Sequence, residues 1–176
     1  QAWRNTGNGF TQVNAGLPGL AEGSAAWGDY DNDGRTDVFI SAVGENQLFH
    51  NEGNGKFLNV SAPAGVTGSS EEWSMSSAWL DIDNDGDKDI VWANGQGYST
   101  LGTLLKPRVF INNGTGTFAD ETDTRAAGIT GCFRGVEAGD VDRDGDWDLI
   151  LAQDYNRRPL LLINDGTGKF TDATVA

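Results

Sequence analysis

The chain has 176 residues, 38% apolar and 22% charged, with six Trp and eight Phe. That suits one ordinary domain and carries too much apolar and aromatic content for a disordered tail. The net charge of −14 argues against nucleic acid as a partner, and no apolar run reaches the length of a membrane span.

Glycine is abundant at 25 and proline sparse at 4, which favours tight turns between short strands. The one cysteine, Cys132, excludes an internal disulfide and reads as a small core or loop residue.

In chain order, Gly7-Asn8-Gly9-Phe10 is a shortened form of a phrase that returns three times as G-x-G-x-F. The full copies are 53–57, 114–118 and 166–170. Residues 1–13 therefore read as a partial hairpin of a preceding repeat. Three full repeats follow within one domain spanning 1–176, at about 14–60, 61–121 and 122–176. Self-similarity at this period means stacked or radial repeats.

Each full repeat parses into four strands. The first strand is 25–29, 77–81 or 136–140. The second is 37–41, 89–93 or 148–152, and the third is 47–51, 108–112 or 160–164. A glycine turn leads to a fourth strand around Phe57, Phe118 or Phe170. The second strands are nearly all apolar, as in Leu149-Ile150-Leu151-Ala152, which suits a strand covered on both faces. No amphipathic helical window is visible, so the segments between repeats read as plain connectors. Four short antiparallel strands per unit are the pattern of a propeller blade. The expected fold is all-β, with three blade-type repeats and an extra terminal hairpin. Three blades are too few to close a ring alone, since propellers use four to eight.

Between the first and second strands of every repeat lies D-x-D-x-D-G-x-x-D. The copies are 29–37, 81–89 and 140–148, holding 14 of the 26 acidic residues. Carboxylates about 4 Å apart repel by roughly 4 kcal/mol at a surface dielectric, so such a loop calls for a cation. A hard ion with a flexible oxygen shell fits best, which points to Ca2+ at three sites; magnesium demands stricter geometry. An EF-hand is excluded by the absence of a Glu at position 12, where Ile40, Trp92 and Leu151 stand, and by strand-like flanks. Side chains at positions 1, 3, 5 and 9 can point inward. Those are Asp29, Asp31, Asp33 and Asp37; Asp81, Asp83, Asp85 and Asp89; and Asp140, Asp142, Asp144 and Asp148. The carbonyl at position 7 (Arg35, Asp87, Asp146) completes the shell, because glycine at position 6 permits the bend. Cytosolic free calcium is too low for modest sites, so the expected setting is extracellular or periplasmic.

The phrases Trp27-Gly28-Asp29-Tyr30-Asp31-Asn32-Asp33-Gly34 and Phe49-His50-Asn51-Glu52-Gly53-Asn54-Gly55-Lys56-Phe57 resemble the FG-GAP/VCBS repeats of integrin α-subunit-like propellers. The resemblance implies calcium in the loop of each blade. It also implies about seven blades, whereas three loops are present here. The chain is therefore expected to be a segment of a longer propeller, or to associate with copies of itself as a ring or a filament.

The loops and glycine hairpins are expected on one face and the variable connections on the other, where Tyr98, Tyr155 and Arg157 are candidate ligand contacts. No catalytic constellation is found, and the lone histidine, His50, reads as structural. The expected function is non-enzymatic: a calcium-binding extracellular module for adhesion or protein interaction. The alternatives are a filament or surface-layer subunit and a lectin-like glycan binder.

Overall fold

The computed structural model describes residues 2–19, 22–96 and 102–174. A hairpin opens the chain, β1 (Ala2–Asn5) with β2 (Phe10–Val13), and forms its own two-stranded sheet. Three four-stranded antiparallel sheets follow, each ordered as in the sequence. Blade one is β3 (Gly23–Gly28), β4 (Asp37–Ala42), β5 (Gln47–Gly53) and β6 (Lys56–Asn59). Blade two is β7 (Trp73–Leu80), β8 (Asp89–Gly95), β9 (Arg108–Asn112) and β10 (Phe118–Asp120). Blade three is β11 (Phe133–Gly139), β12 (Asp148–Gln153), β13 (Leu160–Asn164) and β14 (Phe170–Asp172). The fold is all-β with propeller-type blades, and no sheet closes on itself among the described residues.

The core lies between blades rather than within them. One apolar cluster joins blades one and two through Phe39, Leu48, Trp92 and Phe110. Trp92 stacks on Phe110 at 4.4 Å and on Phe39 at 5.5 Å between centroids. Such pairs add about 0.5–1.5 kcal/mol each beyond their burial. A second cluster joins blades two and three through Val91, Ile82, Phe133, Leu149 and Phe170.

Two expectations need correction. The connectors are not helix-free: α1 (Ser61–Ala64) and α2 (Thr122–Arg125) each make one turn after a fourth strand. Both begin with a buried hydroxyl that accepts a backbone N–H from the third strand, Ser61 from Leu48 at 2.8 Å and Thr122 from Val109 at 3.0 Å. Asn59 and Asp120, two residues earlier, accept the N–H of that hydroxyl residue, an Asx turn that starts the helix. A single turn has no periodicity to detect. The second correction concerns β12. It is covered on one face only, with Ile150 47% exposed, whereas every residue of β8 is buried. β8 has a blade on either side and β12 has a blade on one.

Candidate metal centres

Each acidic loop folds around its own carboxylates. The position 1 Asp accepts backbone N–H groups from the far side of the loop. Asp29 takes Asp33 N at 3.2 Å and Gly34 N at 2.9 Å, and Asp81 takes Asp85 N and Gly86 N, both at 3.1 Å. Asp140 takes Arg143 N at 2.6 Å and Gly145 N at 3.3 Å. The position 5 Asp accepts the N–H two residues on, at 2.8–2.9 Å in all three loops. The glycine at position 6 has φ of 83°, 95° and 99°, which side-chain-bearing residues resist.

The position 9 Asp is the anchor. Asp37, Asp89 and Asp148 are fully buried, and both oxygens of each accept a backbone N–H. One donor is position 2 of the loop: Tyr30 at 3.2 Å, Ile82 at 2.8 Å and Val141 at 2.8 Å. The other is the Asn that closes the third strand: Asn51 at 2.7 Å, Asn112 at 2.8 Å and Asn164 at 2.9 Å. Loop and glycine hairpin therefore share one end of the blade, because one carboxylate ties them together.

Carboxylate oxygens converge in every loop. Asp29, Asp31 and Asp37 form one group, Asp81, Asp83 and Asp85 another, and Asp140, Asp142 and Asp148 a third, with ligand atoms within 4.8 Å. Burial raises Asp89 to about 7 in the absence of a cation, against the pull of its two N–H donors. Burial likewise raises Asp37 and Asp83, with neighbouring carboxylates adding to the rise. Asp142 is raised as well, by desolvation and then by the charge of Asp144. Burial pushes the Tyr30 hydroxyl up to about 12, with Asp31, Asp37 and Asp33 adding to it. One Asp83 oxygen is buried with no hydrogen-bond partner. Crowded hard oxygens with an orphaned one among them fit a calcium ion.

The side chains at position 7 face elsewhere. Asp87 accepts from Asn32 of the preceding blade, and Asp146 accepts from Asn84, both at 2.6 Å. Arg35 turns back onto Asp33 and the Asn51 carbonyl. Only the backbone carbonyl of each remains as a candidate ligand.

His50, which the sequence reads as structural, stands beside the loop-one carboxylates. Its Nδ1 lies 3.1 Å from Asp31 and 3.4 Å from Asp37, and its Nε2 lies 3.8 Å from Asp33. Ile111 and Ile163 hold the same place in the other repeats. That exchange of an apolar residue for an imidazole, one before the Asn, was the available signal.

On the opposite face, Arg157 lines a cavity of about 410 Å³ with Gln153, Ile129 and Phe170, and Tyr155 is half-buried in the same turn. Tyr98 lies outside the described residues. No helix among the described residues is long and apolar enough to cross a membrane.

The family model described as FG-GAP-like repeat matches residues 29–92 and 81–151. Among solved structures, a lectin of Agrocybe aegerita, titled for specific recognition of non-reducing terminal N-acetylglucosamine, is similar at TM-score 0.50 and 22% identity. The match covers 85% of this chain and 37% of that one, so the chain spans little more than a third of the lectin's length. No curated protein matches the chain at significant similarity.

Proposed function

The chain belongs to the FG-GAP-like repeat family, and from that premise we propose a non-enzymatic, calcium-binding extracellular module that serves adhesion or protein interaction. The observation that carries this is the repeated loop, three times over, in which carboxylate oxygens crowd within 4.8 Å of one another and one Asp83 oxygen is buried and orphaned. Asp29, Asp31, Asp33 and Asp37, with their counterparts in blades two and three, would hold the ions. When bound, calcium supplies charge neutralisation and cross-links loop to blade. The protein's own part is to fix the ligands by backbone hydrogen bonds, most of all at position 9. Variable connections on the opposite face would meet the partner, as loops on a rigid scaffold commonly do.

Each saturated site is expected to add about 2.7 kcal/mol when calcium stands at 100 times its dissociation constant. Thermal melting with calcium and with chelator measures this, and an unchanged midpoint would sink the assignment.

A further inference from the structure

The two seams between blades repeat one set of contacts, and blade three presents half of that set unmet. Between blades one and two, Asn112 Nδ2 donates to the Tyr30 carbonyl at 2.7 Å, and Asn32 Nδ2 donates to Asp87 at 2.6 Å. Between blades two and three, Asn164 Nδ2 donates to the Ile82 carbonyl at 2.8 Å, and Asn84 Nδ2 donates to Asp146 at 2.6 Å. The apolar part of the seam repeats too. Tyr30 and Ile82 at loop position 2 are buried by the next blade, as are Phe39 and Val91 in the second strands.

On blade three the corresponding residues are Val141, 54% exposed, and Ile150, nearly as exposed. Arg143 stands at position 4, where the other loops carry the donating Asn. Blade one offers the matching half. Trp27 is 58% exposed on it, and among the described residues the Asn51 amide reaches only the Thr36 carbonyl of its own loop. Its loop position 7, however, is Arg35 rather than Asp. The β1–β2 hairpin does not pair with its sheet.

We propose that the open face of blade three docks one further blade of this repeat type, carrying a carboxylate at loop position 7, and that this charge rule excludes a second copy of the chain. Val141 and Ile150 require an apolar partner, and the Val141 carbonyl occupies the seat that accepts an Asn amide in both existing seams. Arg143 occupies the donor seat, and a carboxylate opposite it makes a charge-assisted bond stronger than the Asn–Asp bond it replaces. A second copy would supply Asn51 and Trp27 but would set Arg35 against Arg143. Arg35 is held in place by Asp33 and the Asn51 carbonyl, so two like charges would meet.

Sedimentation in low salt tests the rule. The wild type is expected to stay monomeric. Arg35→Asp gives blade one the required carboxylate and is expected to associate head to tail about tenfold more tightly or better. Adding Arg143→Asp to that variant should remove the association. Arg35 and Arg143 are both exposed, and circular dichroism checks that each variant is folded. Wild-type association that Ile150→Asp abolishes would seat a second copy there and overturn the proposal. Arg35→Asp no more associated than wild type would also overturn it, since the face would not be reading a carboxylate. Val141, Arg143 and Arg35 lie in the acidic loops, but their side chains are not among the proposed ligands, so association is measured both in calcium and in chelator to keep the test apart from the calcium reading. A calcium-independent melt with Arg35→Asp still associating would defeat only that reading.

Discussion

Two aspartates in one loop hold different positions, and their substitutions should separate by condition. Asp89 is buried and takes the N–H groups of Ile82 and Asn112. Asp89→Ala leaves both donors without acceptors, so a loss on the order of 2 kcal/mol or more should persist in chelator. Asp85 is exposed and accepts one N–H within the loop, from Asp87. Asp85→Ala should therefore cost more in calcium than in chelator, and equal costs would show that no cation sits there. Denaturant midpoints of both variants, with and without chelator, make the comparison. Arg143 is a third case. It holds φ of 68° at the position where Asn32 and Asn84 hold 57° and 61°. Asn populates this region more readily than Arg, so Arg143→Asn should stabilise by about 0.5–1 kcal/mol in the same titration.

At the scale of elements, the Asn that closes each third strand is the fastener between blades. Asn164 donates to Ile82 of blade two and to Trp147 of its own loop, and accepts from Gly166 and Gly168. Among the described residues, Asn51 makes bonds only within its own blade. Asn164→Ala is expected to cost about 2–3 kcal/mol and Asn51→Ala about half of that, because only the first orphans a buried group across a seam. Hydrogen exchange should show protection lost on both sides of the seam in Asn164→Ala and in blade one alone in Asn51→Ala. The short helices belong to the same scale. Ser61 and Thr122 each start one by placing a buried hydroxyl on a strand N–H.

For the whole molecule, the acidity is concentrated in three loops at one end of the blades. Three bound divalent ions would reduce the formal charge of −14 to −8. Anion-exchange elution is therefore expected at higher salt in chelator than in calcium, and coincident elution would mean that the loops carry no ions. The core is built at the seams, so each blade owes its stability to its neighbours. Blade two is sealed on both sides, while blades one and three each leave apolar residues open.

The sequence by itself determined the blades, their strands and their carboxylate loops, because each is written in local spacing. Alternating acids before a glycine define a loop, and an apolar run between turns defines a strand. Hence the third strands of blades two and three fall at 108–112 and 160–164 in sequence and structure alike. Only the tertiary structure decided what stands opposite what. It set His50 among the carboxylates, turned the side chains of Asp87 and Asp146 toward the preceding blade, and left Ile150 exposed. The His50 contacts arise within blade one, where the third strand folds back beside the loop. The others depend on which blade lies alongside, across separations of 55 and 62 positions for the two Asn–Asp pairs, and leave no local trace in the chain.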